Sequence, residues 1–160
     1  MTNSESAPLS HVDASGRARM VDVGSKPITA RRAVAEGFVR INADLEAAIR
    51  ANSLKKGDVL AVARLAGIQG AKRTSELIPL CHPLPLDRID LDASLEPGRV
   101  RLTATAAAQA RTGVEMEALT AVMAAALTVI DMGKSIDRAM TIDGVRVLEK
   151  HGGRSGSFKA

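Results

Sequence analysis

The segment from Ile89 to Ala106 constrains the fold of this chain more than any other. Ile89, Leu91, Ala93 and Leu95 alternate with Asp90, Asp92, Ser94 and Glu96, and Pro97-Gly98 then turns the chain into Val100, Leu102, Ala104 and Ala106. Successive strand residues point to opposite faces, so this period of two predicts a β-hairpin with one face buried and the other in water. Proline presets φ for the turn, and glycine accepts the positive φ that follows.

The flanking patterns supply partners for the buried face. Small and apolar residues at Ala33, Ala35, Gly37, Val39 and Ile41 predict a strand from Ala33 to Ile41, with Arg31 and Arg32 at its entrance. Asn42 is placed to cap a helix carrying Leu45, Ala48 and Ile49 on one face and ending near Ser53. Lys55-Lys56-Gly57-Asp58 reads as a turn, with Asp58 capping a second helix from Val59 toward Lys72 and Arg73. Pro79, Pro83 and Pro85 force Ile78 to Pro85 into a rigid irregular loop, because proline lacks an amide donor and restricts its predecessor. After the hairpin, Thr112-Gly113 precedes a long helix from Val114 to Met132, and a last strand spans Met140 to Leu148.

The order β-α-α-β-β-α-β predicts an α+β fold, a ferredoxin-like sandwich whose antiparallel or mixed sheet carries its helices packed on one face. Residues 1–10 are read as a flexible N-terminal lead-in, 11–150 as a single α+β domain, and 151–160 as a flexible Gly-rich basic tail. Met20-Val21-Asp22-Val23 is a brief extended pattern stopped by Gly24 and Pro27.

Composition excludes several functions. With two Phe, no Trp and no Tyr against 27 Ala, the core is aliphatic, and no platform exists on which nucleic-acid bases could stack. The net charge of +4 contains no long basic run, which argues further against nucleic acid. Cys81 is the single cysteine, so an intramolecular disulfide is impossible and a reducing compartment fits. His11, His82 and His151 lack zinc spacing, and no metal ligand set is expected. The polar N-terminus does not resemble a secretory signal. The uncharged helical stretch Ala118 to Ile130 has 13 residues, short of the roughly 20 that a membrane span needs. A soluble cytoplasmic protein is expected.

Few residues can carry chemistry. Gly133-Lys134-Ser135 invites comparison with a phosphate-binding loop, but Thr128 stands where that motif requires glycine. Asp131 falls in the last turn of the long helix, where a carboxylate opposes the macrodipole, and Lys134 lies three residues on. The pair is either an ordinary surface ion pair or an acid/base couple whose lysine is tuned by the carboxylate. Glu115 and Glu117 either complement the start of the helix or serve a site. Residues two apart on a helix differ by about 200° in direction, so at most one should face a given pocket. Glu117 and Asp131 lie about 21 Å apart along the helix and cannot serve one site within one subunit. Adjacent Cys81 and His82 align poorly as nucleophile and base, which leaves His82 as an orienting or proton-handling group or a loop hydrogen-bonder. Arg31, Lys56, Lys72, Arg73, Lys134, Lys150 and Arg154 together suit a polyanionic small molecule.

Longer motifs are more specific. They are Met20-Val21-Asp22-Val23, Lys56-Gly57-Asp58-Val59, Ala66-Gly67-Ile68-Gln69, Ala71-Lys72-Arg73-Thr74, Leu77-Ile78-Pro79-Leu80-Cys81-His82-Pro83-Leu84, Thr112-Gly113-Val114-Glu115-Met116-Glu117-Ala118-Leu119 and Asp131-Met132. In this order they resemble the molybdenum-cofactor biosynthesis protein C family of cyclic pyranopterin monophosphate synthases, over His11 to Lys159. The resemblance implies conversion of 3′,8-cyclo-7,8-dihydro-GTP, made by a radical-SAM enzyme, to cyclic pyranopterin monophosphate with release of pyrophosphate. By motif position it implies Asp131, Lys56 and Lys134 as catalytic residues. Leu80, Cys81, His82, Met116 and Glu117 are similar to its substrate-binding segments, and Arg31, Lys72, Glu115 and Lys150 to further pocket residues. It also implies a ferredoxin-like subunit in a homohexamer built as a trimer of dimers, with sites between subunits and functional coupling to the upstream radical-SAM enzyme. No cofactor is firmly implied, and a divalent metal beside the triphosphate is left open. Arg154 stands where the family often has lysine, which keeps charge for phosphate but not a proton that leaves near neutral pH. A non-enzymatic scaffold and a nucleic-acid binder are the other classes, separable by product analysis and by salt-dependent binding.

Overall fold

The computed structural model describes residues 15–153 and 156–160. The expected lead-in at 1–10 and the departure at Arg154 lie outside the described residues. Among the described residues five strands form one sheet in the order β2-β3-β1-β4-β5, with every neighbouring pair antiparallel. They are β1 (Thr29–Arg40), β2 (Arg88–Glu96), β3 (Arg99–Ala110), β4 (Thr141–His151) and β5 (Phe158–Lys159). The helices are α1 (Ala43–Arg50), α2 (Val59–Lys72), the single turn α3 (Thr74–Leu77) and α4 (Glu115–Gly133). The α+β expectation holds, with the sheet wholly antiparallel.

The hairpin is β2 and β3, turned at Gly98 with φ of 70°. Leu91 stands opposite Ala104 and Ala93 opposite Leu102, all buried, so the apolar set of the alternation faces the helices. The caps form as their side chains predict: Asn42 Oδ1 accepts from Leu45 N at 2.9 Å, and Asp58 Oδ1 accepts from Leu60 N and Ala61 N at 3.0 Å. β1 starts at Thr29 rather than Ala33, which puts Arg31 and Arg32 inside the strand: Arg31 pairs with Ala108 and Arg32 with Ala107. The segment read as a tail carries β5, where Phe158 pairs with Lys150.

α4 crosses the sheet beside α2, and both contacts depend on missing side chains. A Cβ at Gly37 of β1 would lie 2.7 Å from Val122 Cγ1, and one at Gly70 of α2 would lie 2.5 Å from Ala124 Cβ. The long helix expected from Val114 to Met132 is α4, which contains the uncharged stretch Ala118 to Ile130. Glu115 and Glu117 fall in its first turn and Asp131 in its last, so the helix runs to 19 residues, the length and hydropathy of a membrane span. Half of that span is buried inside the domain, as in a core helix of a globular protein. Part of its outer side is uncovered: Met116, Met123 and Leu127 of α4 are exposed, and so are Val62 and Leu65 of α2.

Candidate active site

Functional side chains gather at the two ends of α4. At its N-terminal end a cleft of about 940 Å³ is lined by Arg31 of β1, Leu80, Cys81 and His82 of the proline-rich loop, Glu115, Met116 and Glu117 of α4, and Lys150 of β4. Eight of the nine residues that the resemblance assigns to substrate therefore share one cleft. The loop is shaped locally: Ile78 N donates to Thr74 O at 2.9 Å and Cys81 N to Ile78 O at 3.0 Å, while Pro79, Pro83 and Pro85 exclude helix. Arg31 is steadied by its own sheet, with Nε donating to Ala110 O at 3.3 Å and Nη2 to Arg111 O at 3.5 Å.

Glu115 and Glu117 both line this cleft, which corrects the expectation that only one could. Glu115 is the first helical residue and its carboxylate turns back over Gly113, where the missing side chain leaves room, to meet Lys150 Nζ at 3.3 Å. Glu117 points inward and is 4% exposed, and its Oε2 has no hydrogen-bond partner within the described chain. Burial raises its pKa, and the charge of Glu115 adds to the shift. Cys81 is likewise raised, first by burial and then by the nearby Glu117, so its thiol is a poor thiolate donor.

At the C-terminal end Asp131 holds two lysines. Lys56 Nζ, from the loop between α1 and α2, donates to Asp131 Oδ2 at 2.6 Å and to its carbonyl at 3.0 Å, and Lys134 Nζ donates to Oδ1 at 2.7 Å. These bonds, that from Lys134 first, pull the Asp131 pKa down to about 2. The three predicted catalytic residues are thus in contact, at the end of α4 remote from the cleft.

Lys72 stands apart from both groups. At the end of α2 it lines a separate recess with Ile68, Leu86 and Arg88, and Leu84 forms a wall common to that recess and the cleft. Residues not singled out beforehand also border the cleft, among them Val21, Val23, Lys26, Arg111 and Thr112. The signal that could have found them was present, since Met20 to Val23 and Thr112-Gly113 belong to the quoted motifs, but extended and turn residues carry no periodicity that assigns them to a pocket. Among the described residues no group of three or more His, Cys, Asp or Glu is placed to hold a metal ion.

An α+β domain whose cleft is lined by four cationic residues, Lys26, Arg31, Arg111 and Lys150, and a buried carboxylate, with a lysine-flanked aspartate elsewhere, has the features of an enzyme for an anionic small molecule. The comparisons make this specific: the family model described as "MoaC family" matches residues 20–153, and the chain belongs to that family. Among its relatives, the cyclic pyranopterin monophosphate synthase of Cereibacter sphaeroides strain KD131 is 54% identical over 154 residues, covering 95% of this chain and 97% of the relative. The proteins of the same name from Corynebacterium efficiens and Novosphingobium aromaticivorans are 57% and 52% identical, over 94% and 95% of this chain and 97% of each relative.

Proposed function

We propose that this chain catalyses the reaction for which its relatives are named, converting 3′,8-cyclo-7,8-dihydro-GTP to cyclic pyranopterin monophosphate and pyrophosphate, an early step of molybdenum-cofactor biosynthesis. The reading rests on one observation above the others: the substrate-binding segments of the resemblance, far apart in sequence, converge on one cleft with Arg31 and Lys150 in its wall. Those cations suit a triphosphate, and they offset the charge that develops as pyrophosphate leaves. The unpartnered Oε2 of Glu117 suits the N–H groups of a purine-derived ring.

Asp131, with a pKa of about 2, stays ionised near neutral pH and exchanges no proton there. It aligns the two ammonium groups, and Lys56 and Lys134 move the protons needed to open the ring aminal and to close the sugar hydroxyl onto the α-phosphorus.

Cleft and lysines lie at opposite ends of a helix about 21 Å apart from Glu117 to Asp131, so a complete site draws them from two copies. The exposed stripe Met116, Met123 and Leu127 lies on the same side of α4 as Asp131 and Lys134, and the helix carries no charge between Glu117 and Asp131. An apolar helix face of this kind calls for a partner. Antiparallel pairing of two α4 helices about a twofold axis between Met123 and Ala124 sets Met116 opposite the partner's Asp131, each about 11 Å from the centre. The reading includes a ferredoxin-like subunit in a homohexamer of three such dimers, a soluble cytoplasmic protein, supplied by a radical-SAM enzyme.

The test is incubation of the purified protein with the cyclised nucleotide, reading pterin and pyrophosphate by mass spectrometry. Formation of both products in equal amounts is expected. Unchanged nucleotide after exhaustive incubation overturns the activity.

A further inference from the structure

Among the described residues three carboxylates are buried: Glu36, Glu117 and Asp137. Glu36 is met by Arg101 at 3.0 Å and Arg146 at 2.8 Å, and Glu117 faces the cleft. Asp137 does neither. It is 5% exposed, and its two oxygens are taken by backbone amides: Oδ2 accepts from Asn42 N at 2.7 Å and Oδ1 from Ala139 N at 2.9 Å. Burying a carboxylate is costly unless its hydrogen bonds are made, so the position is a demanding one for a group that does not line the cleft.

The location of these bonds suggests their use. Asn42 caps α1, and Asp137 closes the loop that follows Lys134, where Ile136 N and Asp137 N both donate to Gly133 O at 2.9 and 3.1 Å. The end of α4 is also seated on α1 directly, because a Cβ at Gly133 would lie 2.7 Å from Leu45 Cδ2. The loop after the far end of α1 contains Ser53, whose N donates to Ala48 O at 3.0 Å, and buried Leu54; Lys56 then reaches back to Asp131. α1 therefore joins the two halves of the lysine–aspartate–lysine group: its N-terminus is tied to the loop bearing Lys134, and its C-terminal loop bears Lys56.

We propose that Asp137 is a positioning residue: its bond to Asn42 N ties the loop after α4 to the start of α1, its bond to Ala139 N holds that loop in shape, and together they fix Lys56 and Lys134 on opposite oxygens of Asp131. Only a carboxylate offers two acceptor oxygens in one plane to bridge the two amides; an amide side chain offers one. The functional half of the proposal rests on the reading of the two lysines as proton carriers.

The test compares the wild-type protein with D137N in its assembled state. Carbodiimide cross-linking joins a carboxylate to an amine in contact with it, and peptide mass spectrometry then counts the Lys56–Asp131 and Lys134–Asp131 amides without reference to activity. D137N is expected to give severalfold less of the Lys56–Asp131 product, with kcat lowered on the order of 10–100-fold, KM for the cyclised nucleotide unchanged and the pH profile of kcat displaced. A variant that is merely less heat-stable, with wild-type cross-link yield and kcat while folded, overturns the assignment. D137E keeps both acceptor oxygens and carries the same comparison should D137N not fold. Failure of both to fold makes Asp137 a folding residue and also overturns the proposal. If K56A turns over at the wild-type rate, the proton-carrier reading falls by itself, and cross-link yield still judges Asp137.

Discussion

Lys56 and Asp131 are 75 residues apart in the chain and 2.6 Å apart in space, with Lys56 also bonded to the Asp131 main chain. The carboxylate sits in the last turn of α4, where the helix macrodipole is already negative, and two ammonium groups offset both charges. The group is exposed, so its ion pairs add little to stability.

D131N keeps the shape of the side chain and removes the charge that aligns the amines. Pyrophosphate release should fall about 10²- to 10⁴-fold, with the melting temperature essentially unchanged. Rapid-quench product analysis beside a thermal scan checks both halves. Wild-type turnover in D131N would remove Asp131 from the reaction.

Site sharing between copies can be tested by complementation. E117A and D131A chains should each be inactive, and unfolding and refolding them together should recover about a quarter of wild-type activity, because half of the dimers are mixed and each mixed dimer has one intact site. No recovery, from mixtures shown by mass to contain both chains, would mean that each subunit works alone.

Glu117 provides a stability signature. Its pKa is raised from 4.5 by burial, so in the pH window above 4.5 the folded state holds more protons than the unfolded one. Stability contributed by the neutral acid is therefore full below that window and declines as pH rises through it. E117Q should be more stable than wild type at pH 7 by about 1–3 kcal/mol, lose that advantage in acid, and turn over substrate poorly. Denaturation series at neutral and acid pH read the difference; an equal advantage at both would assign the gain to packing.

The α2–α4 crossing predicts a packing defect. Alanine is the better helix former by about 1 kcal/mol, yet a Cβ at Gly70 would press on Ala124 Cβ and sit 3.2 Å from Thr120 O, neither of which can swing away. Overpacking of this kind costs about 1–3 kcal/mol, so G70A should melt below the wild type. A higher midpoint would show that α2 can retreat from α4 at little cost.

Local order was legible because local rules govern it. Alternation at Ile89 to Leu95 and Val100 to Ala106 placed the hairpin, and Asn42 and Asp58 placed two helix starts. Asp131 and Lys134, three residues apart on one helix end, could be paired from spacing alone. The start of β1 and the presence of β5 were not legible, since Arg31 and Phe158 join the sheet through backbone pairing to β3 and β4 rather than through any hydrophobic period of their own.

The amino-acid order determined by itself where the hairpin and the three longer helices form and which face of each is apolar, because those preferences are settled within a few residues. Only the tertiary structure decided that Lys56 reaches Asp131, that Glu115 shares the cleft with Glu117 while Lys72 does not, and that Asp137 is buried against Asn42. These contacts join residues that no periodicity relates. They exist because α2 and α4 must cover the apolar face of the sheet, and covering it carries the ends of the helices and their loops into fixed places.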